Sequence, residues 1–159
     1  MKNEYLIIAA RIKRELKNIS EVVSRSINIW NKGAIIGDDM YIDATALNLH
    51  SFYSGIEKIF VIVAEGVDQS KPSSSSWHKA LIQQMGAEIK GIRPQVISDS
   101  LINRLDNYRG FRHVVRNVYT YTLDERNIKL LVDELEDIMK ALTKELLIFV
   151  DFLEKIEIN

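Results

Sequence analysis

Apolar residues recur at three- and four-residue steps along nearly the whole chain, the spacing that gathers them on one face of an α-helix. Tyr5, Ile8, Ile12, Leu16, Ile19, Val23 and Trp30 form the first such series. It predicts a long amphipathic helix ending at Gly33, a residue suited to a left-handed cap. GAIIGDD then serves as a connector, and Asp43 can N-cap a second helix whose inward face is Leu49, Phe52, Ile56, Ile59, Phe60 and Val63. That helix stops around Gly66 to Asp68, where the Ser-rich DQSKPSSSS marks a loop. A shorter helix runs from Trp77 to about Ile89 and is broken by GIRPQ, because the residue before Pro94 disfavours the helical region. Ser98 or Asp99 can cap a fourth helix, TLD interrupts it, and Asp124 caps the last. In that last segment Ile128, Val132, Leu135, Met139, Leu142, Leu146, Phe149, Leu153 and Ile156 alternate four- and three-residue steps, the seam of a bundle helix. No strand-period alternation interrupts the pattern. The expectation is an all-α antiparallel bundle of about five helices, with residues 1–159 as a single domain.

Composition narrows the function classes without selecting one. The 159 residues are 47% hydrophobic and 27% charged, enough for a core and a solvated surface. The formal net charge is −1, so binding to nucleic acid or to an anionic membrane has to come from a local patch. The chain has no Cys, which removes disulfides and thiolate chemistry and suits a reducing cytoplasm. The apolar run from Tyr5 to Ala10 is too short for a secretory signal, and nothing approaches a membrane span. The three histidines lie far apart without carboxylates at metal-ligand spacing, so no metal site and no cofactor is expected.

One local patch does stand out. Between Asp106 and Asp124, the stretch RGFRHVVRNVYTY holds three arginines and a histidine and no acid. On a helix, Phe111, Val114, Val115 and Val118 fall on one side, and Arg109, Arg112, His113, Arg116 and Thr120 on the other. Asn117 lies one turn after His113. Arg112 and Arg116 are a like-charged pair at the i,i+4 spacing, which costs stability unless an anion sits between them. Arginine also suits bidentate contact with phosphate better than lysine does. The anion can be a phosphate or a carboxylate cluster on a partner, and the spacing leaves both open. Glu57, set in an otherwise apolar helix face, either pairs with one of these arginines or is solvated. His50 and His78 have packing or structural roles by default, and Tyr108, Tyr119 and Tyr121 are candidates for stacking on bases or for core-edge packing.

FRHVVRNVY resembles the signature of HEPN-domain proteins, an Arg followed by four to six residues, a His, one residue and a Tyr. More narrowly the chain is similar to HepT-like ribonuclease toxins. LHSFYSGIEKIF (Leu49 to Phe60), WHK (Trp77 to Lys79) followed by LIQQM, RPQVIS (Arg93 to Ser98) and FRHVVRNVYTYTLD occur in order. The resemblance covers about Leu47 to the C-terminus. It implies a HEPN-like bundle that forms a homodimer, with two motif helices facing one cleft. It also implies metal-independent endoribonuclease activity on RNA, and toxicity held in check by a nucleotidyltransferase-type antitoxin that modifies the motif Tyr. On this chain the motif Arg is Arg112, the polar residue after it is His113, and the Tyr is Tyr119. Arg109 and Arg116 would assist in binding phosphate.

At the position of the motif His this chain has Asn117. Asn carries no titratable proton, so it can hold a phosphate or ribose oxygen but cannot act as acid or base. His113 is the nearest substitute, since imidazole is the side chain best suited to proton transfer near neutral pH. Three readings follow: a ribonuclease toxin, a catalytically impaired HEPN module that binds RNA, nucleotide or a partner protein in the same basic cleft, and a helical adaptor whose arginines only meet acids across a dimer.

Overall fold

The apolar series close on one another as a helical bundle. The computed structural model describes residues 3–117 and 123–159. Its elements are α1 (Glu4–Ile36), α2 (Met40–Gly66), α3 (Trp77–Met85), α4 (Asp99–Arg116) and α5 (Glu125–Ile158). The protein is thus all-α, with a single isolated β-bridge, Ile89 to Arg93, among the described residues. α1 and α5 have 33 and 34 residues, each about 50 Å long at 1.5 Å per residue.

Hydrogen bonds between the elements fix their directions. The end of α5 meets the start of α1, where Glu157 accepts from the backbone N–H groups of Asn3 (3.1 Å) and Tyr5 (2.9 Å). A carboxylate from the far end of the chain thereby caps a helix whose own N-cap residue, Asn3, makes no side-chain capping bond. Those N–H groups hold the Glu157 carboxyl below the usual carboxylate range. The starts of α2 and α5 meet through Tyr41 Oη, which donates to Glu125 at 2.5 Å. Along α4, Ser98, Arg104 and Tyr108 contact Glu145, Asp137 and Leu131 of α5 in descending order. So α1 and α4 run one way and α2 and α5 the other.

Most predicted inward positions are buried. The exceptions are Tyr5, which is half-buried, and Ile156, which is 42% exposed on the last turn of α5. Ser98 caps α4 by accepting from the Leu101 N–H (3.2 Å), and Asp124 caps α5 by accepting from Arg126 (2.9 Å).

Four predicted boundaries move: α4, expected to run on until TLD, ends at Arg116 with Asn117 as its C-cap, and three others shift for local reasons. α1 does not stop at Gly33 but continues to Ile36 and closes on Gly37, whose φ of 74° is the left-handed conformation. Gly33 instead gives room to α2, since a Cβ there would overlap the Tyr41 side chain. α2 begins at Met40, before Asp43, because Asp38 Oδ1 accepts from the Met40 N–H at 2.9 Å; Asp43 sits in the first turn, where its charge favours the helix dipole. α3 ends at Met85, not near Ile89. The Met85 carbonyl is taken by the N–H groups of Val96 (2.9 Å) and Ile97 (3.3 Å) on the returning segment.

That returning segment is held by a buried ion pair. The Arg93 guanidinium donates to Asp68 at 2.5 and 2.8 Å and to the carbonyls of Ala87, Pro94 and Gln84. Both side chains are essentially closed to solvent, at 0% and 1% exposure. Asp68 also accepts from Gln84 of α3 at 2.7 Å. The end of α2, the end of α3 and the approach to α4 are therefore tied at one point.

Two stability predictions follow. Gly33→Ala should destabilise the fold by about 1–3 kcal/mol through overpacking, despite roughly 1 kcal/mol of improved helix propensity; urea unfolding measures it. Asp68→Ala strands a buried guanidinium and should cost about 3–5 kcal/mol in the same assay.

Candidate functional site

α4 is anchored so that one of its faces is left for a groove. Leu105, Tyr108 and Phe111 are buried, Tyr108 Oη donates to the Leu131 carbonyl at 2.6 Å, and its ring meets Phe52 edge-on at 5.2 Å. Tyr108 is therefore a core residue and does not face nucleic acid. With this side fixed, the opposite side of α4 lines a groove of about 440 Å3. Arg109, Arg112, His113, Arg116 and Asn117 form one wall. Ser75 and Ser76, from the loop before α3, and His78 and Lys79, from its first turn, form the other.

The arginines are not equivalent. Arg109 donates to Asp106 at 2.6 Å, and that bond holds its pKa above the ordinary arginine value. Arg112 is half-buried, and its Nε is closed to solvent without a hydrogen-bond partner among the described residues. Arg116 is exposed. Neither Arg112 nor Arg116 forms an ion pair among the described residues. Such a cost is met when a ligand supplies the missing acceptor.

Asn117 is the C-cap residue of α4. Its side-chain Nδ2 donates to the His113 carbonyl at 2.8 Å and lies 3.5 Å from His113 Nδ1. The two residues are thus brought together as the helical spacing predicts. Tyr119, with Val118, Thr120 and Tyr121, lies outside the described residues.

Beneath the groove α2 contributes polar groups that periodicity alone does not place. Glu57 is only 7% exposed, and its Oε2 is 2.6 Å from Nδ1 of His78. Its partner is a histidine of α3 and not one of the arginines. The His78 ring also stacks on Trp77, with centroids 3.7 Å apart. Tyr53 Oη is buried without a partner among the described residues, and burial, then Glu57, push its pKa well up. His50 is held below the ordinary histidine value by burial first, then by Arg112 and Arg116, with Glu57 opposing. Ser75, Ser76, His78 and Lys79 are groove residues the sequence did not assign to the site. The available signal was Glu57 itself, since a carboxylate within an apolar helix face needs a charged or hydrogen-bonded partner. Among the described residues no group of three or more His, Asp or Glu is arranged to hold a metal ion, and no helix is long and apolar enough to cross a membrane.

His50 reports on the groove's charge. Its imidazole resonances should titrate below 6.5 in a proton NMR series. Arg112→Ala or Arg116→Ala should raise that midpoint, because each removes a cation that disfavours imidazolium.

No curated protein and no solved structure returns a match to the chain. The family model for HepT-like proteins matches residues 44–153, well over half of the sequence. The matched span contains both walls of the groove and the buried pair that holds α3 in place. The chain belongs to the HepT-like family.

Proposed function

We propose that the protein is a HEPN-type, metal-independent endoribonuclease whose groove holds the scissile phosphate of single-stranded RNA. One observation carries this reading: Arg112 keeps a buried, unpartnered Nε at a groove that also holds Arg116 and Lys79. A phosphate oxygen fits that requirement, and a guanidinium already in place needs no reorganisation as charge builds on the phosphate. Arg112 is the electrostatic stabiliser, and Arg109 and Arg116 draw the polyanion in. Proton transfer falls to imidazole, with His113 on the α4 wall, while Asn117 orients rather than transfers. Membership of the HepT-like family supports a toxin role, a homodimer that sets two grooves side by side, and a nucleotidyltransferase-type antitoxin acting on Tyr119.

A second reading has its own support. The Asn117 side chain is engaged with the His113 carbonyl at the helix end, so the position usually given to proton chemistry is here used as a cap. That suits a module which binds RNA or nucleotide without turnover. The adaptor reading needs acids of a second copy to reach Arg112 and Arg116, which pair with no carboxylate of their own chain among the described residues.

The purified chain should cut single-stranded RNA in the presence of EDTA. Arg112→Ala should lower the rate by about 10²- to 10³-fold, and Asn117→His should raise it. Salt-sensitive RNA binding without cutting by either the parent or Asn117→His would establish the binding module instead.

A further inference from the structure

We propose that Glu57 and His78 form a carboxylate–imidazole dyad that supplies the groove's general base. The inference rests on the ribonuclease reading and deepens it, by naming the proton acceptor that Asn117 cannot be. His78 is the second residue of α3 and lines the groove opposite Arg112. An ionised carboxylate only accepts hydrogen bonds, so Nδ1 carries the proton in the 2.6 Å contact with Glu57 Oε2. Nε2 is then the unprotonated nitrogen left for the groove. The Trp77 stack and the Glu57 bond restrain the ring from two sides. A buried carboxylate behind a histidine fixes its tautomer and stabilises the imidazolium that forms when it takes a proton.

Among the described residues Glu57 has no competing ion-pair partner. It is buried on α2, where nearby Tyr53 carries an unpartnered hydroxyl and Arg109 is already bonded to Asp106. His78 lines the groove with a carboxylate behind it. His113, exposed on α4, is left for the leaving-group side. In the step, the 2′-hydroxyl proton passes to His78 Nε2 as the 2′-oxygen bonds to phosphorus. The bond from phosphorus to the 5′-oxygen breaks, and that oxygen takes a proton from water or from His113. The products are a 2′,3′-cyclic phosphate and a 5′-hydroxyl. His78 is the catalytic residue, and Glu57 is a positioning residue.

The test compares the parent chain with His78→Ala, His78→Asn and Glu57→Gln. It measures RNA cleavage and, separately, binding of the all-2′-deoxy version of the same oligonucleotide, which cannot be cut. His78→Ala should cut about 10²- to 10⁴-fold more slowly, bind the deoxy probe within about twofold of the parent, and recover part of its rate when imidazole is added. Asn offers an N–H in place of Nδ1 without a basic nitrogen, so His78→Asn should keep the Glu57 bond and be equally slow; it serves if the Ala variant does not fold. Glu57→Gln should lower kcat by at least about tenfold with little change in KM. Cutting by His78→Asn or His78→Ala within about fivefold of the parent overturns the dyad and leaves the ribonuclease reading standing. So does a loss of cutting matched by an equal loss of probe binding. A parent chain that cuts no RNA overturns both.

Discussion

The groove depends on one buried ion pair that is not itself part of it. Arg93 and Asp68 close off every route by which α3 could drift, since the guanidinium binds the end of α2, two carbonyls at or beyond the end of α3, and the segment leading to α4. Charges withdrawn this completely from water stay there only when nearly all their hydrogen-bonding capacity is met. That condition is geometric, so it fixes the chain around it. α3 has nine residues, too few to be stable by itself. Its place comes from this tether and from Leu81, Ile82 and Met85 in the core. His78 and Lys79 stand where they do because the other end of their helix is pinned.

The long helices perform a different task. α1, α2 and α5 supply most of the apolar interior, and the direction of each is set by contacts at its ends. α4 is the link between that interior and the groove. Its buried residues pack on α2 and α5, and the same helical turns carry Arg109, Arg112 and Arg116 outward. An amphipathic helix places a charged stripe only as firmly as its apolar side is held. Here Tyr108 is held by both a ring contact and a buried hydrogen bond.

Much of this was legible in the sequence. Apolar spacing identified five helices and nearly all the inward positions, residue type gave the cap at Asp124, and it narrowed the cap of α4 to Ser98 or Asp99, of which the structure uses Ser98. The cationic stripe separated on a wheel, and it lines one wall of the groove. The remainder was hidden because it depends on contacts distant in sequence. Gly33 looks like a stop signal until Tyr41 is packed against it. Arg93 looks like a loop residue until Asp68 meets it. Periodicity shows that Glu57 is out of place in its helix, but only the position of α3 shows that His78 answers it.

The idle polar atoms under the groove carry an evolutionary consequence. Tyr53 Oη and Arg112 Nε are shut away from water with nothing to bond to among the described residues. Apolar residues at either place would firm up the scaffold while emptying it of chemistry. Selection for heat resistance alone would therefore push this chain toward a sturdier bundle whose groove has lost these polar groups.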